Sequence, residues 1–178
     1  MKKKYYNSPI VTLVEEEFEN PSRKTKKIIT LVAPEWVNII PITAHNEVVL
    51  VEQLRYGIGD TTLEIPGGMV DSGESNQTAA ERELLEETGY QVENIAKIGS
   101  LSPNPALFTN KVTSYVGYNA KINKEVSNSD KNIKVHLIPI KDIDLLVYKG
   151  QINHALVIAA FYLLSNRERE TLKTLKKS

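Results

Sequence analysis

The chain has 178 residues, 41% hydrophobic and 25% charged, a composition that suits one globular domain and excludes disordered, collagen-like and coiled-coil classes. It contains no cysteine, which excludes a disulfide scaffold, thiol catalysis and any cysteine-ligated metal site. Its 22 bases balance 22 acids, so global charge favours neither nucleic acid nor a membrane surface as partner.

The start, Met1 to Pro9, has lysines but no apolar stretch, so no secretory signal is expected and a cytoplasmic location follows. Ile10 to Phe18 and Lys27 to Val32 are β-rich and flank Asn20-Pro21-Ser22, which predicts a hairpin. Trp36 to Ile42 and Glu47 to Leu54 read as strands around Ala44-His45-Asn46, and Thr61 to Ile65 as a short strand ending at Pro66-Gly67-Gly68. A helix should follow the polar loop Asp71 to Ser75, with Asn76 or Thr78 as N-cap, and stop at Gly89. Val92 to Leu101 and Lys111 to Lys121 are predicted strands separated by the loop Ser102-Pro103-Asn104-Pro105. Lys124 to Asn132 reads as a polar loop, Val135 to Ile140 as a strand and Asp142 to Tyr148 as a short helix. A last helix runs from Ile152 to about Lys173; its apolar run, Ala155 to Leu164, is too short to span a bilayer. Strands mixed with two main helices predict an α/β/α layering around a mixed sheet, residues 35–178, preceded by a small β extension over 1–34.

Charge is unevenly placed. Eight acids and a single base, Arg82, fall between Asp60 and Glu87. Such repulsion needs relief, and a divalent cation is the simplest source. On a helix, residues three and four apart share a face, so Glu83, Glu86 and Glu87 form one stripe. Arg82 can pair with Glu86 one turn on or reach back to Glu74 in the preceding loop. Gly67-Gly68 permits a tight turn that would aim a backbone carbonyl at the same ion. Hard oxygen donors without cysteine or a histidine pattern select Mg²⁺ or Mn²⁺. The alternative is an exposed charged helix laced by ion pairs, for which four glutamates around one arginine are poor design.

The segment Gly68 to Tyr90, GMVDSGESNQTAAERELLEETGY, resembles the Nudix box, G-x5-E-x7-R-E-U-x-E-E-x-G-U with U bulky and apolar. Gly68, Glu74, Arg82, Glu83, Leu84, Glu86, Glu87 and Gly89 fall in register, and Tyr90 at the final U is the one mild departure. The resemblance implies metal-dependent hydrolysis of a pyrophosphate within a nucleoside diphosphate linked to another moiety. It also implies that Glu83, Glu86, Glu87 and the Gly67 carbonyl hold the metal. The runs WVNIIPIT, VVLVEQLRYG and LEIPGGMVDSGE, with Pro105 beyond the box, resemble the ADP-ribose and nucleoside-diphosphate-sugar pyrophosphatases of that family.

By that resemblance Arg55 would contact a phosphate or the distal sugar, unless it is only a surface arginine at a strand end. Trp36 would stack on the base or pack in the core, and Glu52 would bind a hydroxyl. Gly68 and Pro105 complete the candidate substrate contacts. The subgroup's general base commonly lies before the strand at Val135, where this chain has Glu125 and Asp130 among lysines; Glu125 is the candidate, with a box glutamate or a hydroxide made by two metals as alternatives. The N-terminal extension resembles the element through which the subgroup dimerises, so a homodimer is expected. The competing functions are a Nudix hydrolase of another nucleotide class (NADH, a dinucleoside polyphosphate or an oxidised nucleotide) and a regulatory module that binds ADP-ribose without turnover. The latter sits badly with a box that keeps every ligand. No G-x4-G-K-[ST], H-E-x-x-H or G-x-S-x-G motif occurs.

Overall fold

In the computed structural model, which describes residues 2–19, 21–22, 24–123 and 132–175, the chain opens with three antiparallel strands. These are β1 (Lys3–Asn7), β2 (Thr12–Glu19) and β3 (Thr25–Val32), so the expected hairpin is three-stranded. All five residues of β1 are exposed, and without an inward face the strand left no alternation to read. This sheet joins the rest through Leu31, whose N–H donates to the Leu107 carbonyl (2.8 Å) and whose carbonyl accepts from Thr109 N–H (3.1 Å). Tyr5, Tyr6, Phe18 and Ile29 remain more than half exposed on it.

The second sheet has eight strands: β4 (Trp36–Thr43), β5 (Glu47–Arg55), β6 (Asp60–Glu64), β7 (Gly67–Met69), β8 (Tyr90–Gln91), β9 (Asn94–Leu101), β10 (Val112–Ile122) and β11 (Lys134–Pro139). It is mixed: β10 runs parallel to β4 from Val112↔Trp36 onward, while β5 and β7 lie antiparallel to β4. β6 and β11 flank β5, and β9 flanks β10. The β4–β5 turn falls where Ala44-His45-Asn46 predicted it, with Asn46 in the left-handed region (φ 58°) that asparagine tolerates.

β4 is apolar almost throughout because both of its faces are covered. Val37 and Ile39 pack with Tyr115 against Ala79, Ala80 and Leu84 of α1 (Asn76–Thr88). Ile40 and Ile42 pack with Val116 against Val157, Ala160 and Leu164 of α3 (Ala155–Leu175), with Ile143 of the short α2 (Ile143–Tyr148) joining them. The result is an α/β/α sandwich around a mixed sheet.

Two helix starts differ from expectation. The N-cap of α1 is Ser75, extended at ψ 151°, whose hydroxyl accepts from Thr78 N–H (3.1 Å); neither Asn76 nor Thr78 takes that role, because both already lie inside the first turn. The last helix begins at Ala155 rather than Ile152, because Ile152 N–H is spent on the Leu146 carbonyl (3.2 Å) and its side chain is fully buried in the core. Gly89 ends α1 as expected, at φ 73°. The loop expected at Lys124 to Asn132 falls largely on 124–131, outside the described residues. Among the described residues no helix is long and apolar enough to cross a membrane.

Candidate active site

The site starts from two glycines that are not in a tight turn. Gly67 and Gly68 lie in β7, paired with Asn38 and Val37 of β4, and neither has a positive φ. They are glycines because of close approach. A Cβ on Gly67 would overlap the Val37 carbonyl oxygen and press on Asn38 Cα (2.8 Å), whereas a Cβ on Gly68 would meet the Glu83 carboxylate at 2.5–2.8 Å. Backbone has to move in the first case, only the end of a flexible side chain in the second. Gly67→Ala is therefore expected to destabilise the fold by about 2–3 kcal/mol, and Gly68→Ala by clearly less. Urea denaturation of the two variants checks the order.

Arg82, in the middle of α1, organises the acidic stripe. Its Nε donates to Glu74 Oε1 (3.0 Å) and its Nη2 to Glu74 Oε2 (3.1 Å), so it grips the loop ahead of the helix bidentately. Nη2 also donates to the Met69 carbonyl (3.0 Å), and Nη1 reaches both Glu83 (2.8 Å) and Glu86 (3.1 Å). Both partners named from the sequence are thus engaged, together with Glu83. This hydrogen bonding holds Glu74 below the usual carboxylate range and raises Arg82 further still. Among the described residues no three acidic or histidine side chains converge closely enough to hold a metal ion, because Arg82 draws Glu83 and Glu86 to itself.

Glu87 escapes Arg82. Its Oε2 accepts the Gly67 N–H at 3.1 Å, and burial, reinforced by the charge of Glu83 and Glu64, pushes its pKa up to about 8. Burial raises Glu83 as well, against the opposing pull of Arg82. Two glutamates are therefore held partly out of water beside Gly67 and Gly68 with less positive charge than they need.

Those glycines line a cleft of about 1540 Å³. Arg55, at the end of β5, lines it too, and is tied to Glu64 of β6 by two parallel bonds, Nε to Oε1 (2.7 Å) and Nη2 to Oε2 (2.6 Å). Glu64 also accepts from the Thr62 hydroxyl (2.5 Å) and is only 3% exposed. The sequence reading missed Glu64 and Thr62. The Thr62-x-Glu64 alternation puts both on one face of β6, but nothing in it announces the pairing with Arg55 across the hairpin.

Trp36 lines the cleft with its ring against Phe108 (centroids 5.5 Å apart), and Val11, just before β2, and Leu31 of β3 line it too. Glu52 lies on the cleft wall, but its oxygens are taken by Lys134 Nζ (2.8 Å) and His136 Nε2 (3.1 Å), which hold its pKa low. Pro105 is exposed and does not line the cleft; Phe108, three residues on, does. Glu86 is about half exposed and Glu125 lies outside the described residues.

Residues 34–161 match the family described as NUDIX domain. The chain is 30% identical to the methanol dehydrogenase activator of Bacillus methanolicus, covering 89% of this chain and 87% of the relative. It is 25% identical to the ADP-ribose pyrophosphatase of Bacillus subtilis (strain 168), over 94% and 91% of the two chains. The crystal structure of an ADP compounds hydrolase superposes with a TM-score of 0.82 at 23% identity, covering all of this chain and 95% of the other.

Proposed function

The chain belongs to the NUDIX domain family of hydrolases, and from that premise we propose that it hydrolyses the pyrophosphate bond of nucleoside diphosphate sugars of the ADP-ribose type. The products are a nucleoside monophosphate and a sugar phosphate. The observation that carries the reading is Glu87, a half-buried carboxylate hydrogen-bonded to Gly67, which lines the same cleft as Arg55, while Glu83 lies against the neighbouring Gly68. Similarity to an ADP-ribose pyrophosphatase along nearly the whole chain supports the substrate class.

Nudix hydrolases need a divalent metal, and the donor set suits a hard one. It consists of carboxylate and carbonyl oxygens, and the excess negative charge at Glu83 and Glu87 is what a cation would neutralise. Glu83, Glu86, Glu87 and the Gly67 carbonyl would hold Mg²⁺ or Mn²⁺, with Glu83 and Glu86 turning from Arg82 to do so. Bound there, the metal supplies charge neutralisation of the diphosphate and acidification of water. Arg55 orients a phosphate, and its positive charge stabilises the negative charge that develops on the leaving oxygens. Trp36, with Phe108, offers an aromatic wall for the base. Arg82 fixes the carboxylates, and Glu125 serves as general base. Glu52, already committed to Lys134 and His136, shapes the wall.

The N-terminal extension, residues 1–34, serves as the dimerisation element of the Nudix domain over 35–178. Exposed Tyr6 and Ile29, in register with Leu13 and Glu15 of β2, share one face of its sheet and give it an apolar surface of the kind a second copy covers, while Phe18 lies on the other face. A cytoplasmic location agrees with the substrate.

The test is release of nucleoside monophosphate from ADP-ribose, GDP-mannose, ADP-glucose, UDP-glucose, NADH and a dinucleoside polyphosphate, with Mg²⁺ and with chelator. Metal-dependent cleavage of the sugar diphosphates is the expected outcome. Cleavage confined to another class replaces the substrate assignment. A relative of equal reach bears the name of an activator rather than a hydrolase. Binding of ADP-ribose without turnover would therefore favour a regulatory module. Sedimentation velocity is expected to show two chains per particle.

A further inference from the structure

The pair Arg55–Glu64 carries information beyond the identity of the phosphate-binding arginine. Arg55 is 41% exposed at its side chain, and a free guanidinium at the mouth of a cleft samples many rotamers. Here its Nε and Nη2 edge is locked onto both oxygens of a carboxylate that is itself almost wholly buried. Glu64 is in turn oriented by the Thr62 hydroxyl from two residues away on the same strand. Nη1 makes no hydrogen bond to any described residue, so that side of the guanidinium is left for a ligand.

We propose that Glu64, oriented by Thr62, is a positioning residue that sets Arg55 with its Nη1 edge toward the substrate diphosphate. Glu64 touches neither substrate nor metal. Its buried charge is retained because it fixes the geometry of a phosphate contact. The inference rests on the functional reading above for the identity of the ligand, and the hydrogen-bonded geometry stands independently of it.

The test is a double-mutant cycle of Glu64→Gln and Arg55→Ala, read in two ways: kcat and KM for ADP-ribose with Mg²⁺, and the dissociation constant of α,β-methylene-ADP measured by calorimetry without metal. Glu64→Gln is expected to weaken probe binding and raise KM about 10- to 100-fold, the worth of charge-assisted hydrogen bonds. In the Arg55→Ala background the same change should do little, because Glu64 acts through Arg55. Thr62→Val, nearly the same shape without the hydroxyl, should give a smaller loss of the same kind and guards against a Glu64 variant that fails to fold. Effects of Glu64→Gln and Arg55→Ala that simply add, or a Glu64 variant that folds and binds the probe normally, overturn the proposal. A wild-type chain that binds the probe but cleaves no sugar diphosphate removes the hydrolase reading and leaves the cycle to be decided by binding. One that binds no probe removes both.

Discussion

Glu87→Gln is expected to lower turnover on the order of 1000-fold and, in the same protein, to raise the stability of the metal-free fold at alkaline pH. Glutamine keeps the shape and an oxygen to accept the Gly67 N–H, so the fold has no reason to change. What goes is a charge the site holds at a disadvantage. In the folded chain Glu87 titrates at about 8 instead of its ordinary 4.5, chiefly through burial. Between those values the folded chain keeps a proton that the unfolded chain has released. The stability contributed by this group therefore falls as pH rises from about 4.5 to about 8 and stays low above that. Glutamine does not titrate, so the variant should match the parent near pH 5 and exceed it near pH 9 by on the order of 3 kcal/mol. Divalent cation should then stabilise the parent and leave the variant nearly unmoved. Urea unfolding at the two pH values, with chelator and with Mg²⁺, provides the measurement. A variant less stable than the parent at pH 9 in chelator would refute the argument.

Arg82→Ala should have the opposite effect on stability and a similar one on rate. Arg82 ties a loop (Glu74), a strand carbonyl (Met69) and two positions of its own helix into one knot. Its removal strands Glu74 and Glu83, whose side chains are 13% and 15% exposed, without a counter-charge. Deleting the hub of this partly buried network is expected to lower the melting temperature by roughly 5–10 °C in a domain of this size. Turnover should fall about 100-fold, since the carboxylates that hold the metal lose their common brace. A thermal melt and a rate measured well below the melting point separate the two effects. A melting temperature within 2–3 °C of the parent would reduce Arg82 to a surface salt bridge.

The helix that carries the acidic stripe was legible because it obeys two local rules at once, a glycine that ends it in the left-handed region and carboxylates at helical spacing. Its start was misplaced by one to three residues because Ser75, Asn76 and Thr78 are all acceptable caps, and only backbone conformation separates the residue outside the first turn from those within it. Gly67 and Gly68 were singled out for turning; their reason is crowding by Val37 and Glu83, a tertiary fact with no local trace. Glu52 looked available from sequence and is committed to Lys134 and His136, because β11 pairs with β5 in a register that sequence does not reveal. The same limitation hid Glu64. A glutamate in a short strand has no local feature announcing that it will be buried against an arginine nine residues earlier.

The parallel pairing of β4 with β10 has a kinetic consequence. Asn110 anchors to the Pro34 carbonyl across 76 positions of chain, just where the two strands begin to run side by side. Everything between them, including the hairpin of β5 and β6 and the whole of α1, closes on itself through shorter loops. Search entropy therefore favours forming the helix and the hairpin early and the parallel seam late. The Arg55–Glu64 clamp, a hairpin contact, would be assembled before the glycines of β7 are pressed between β4 and α1. The central sheet should then refold slowly for a chain of this length, with ligand-binding competence recovered only in the last phase.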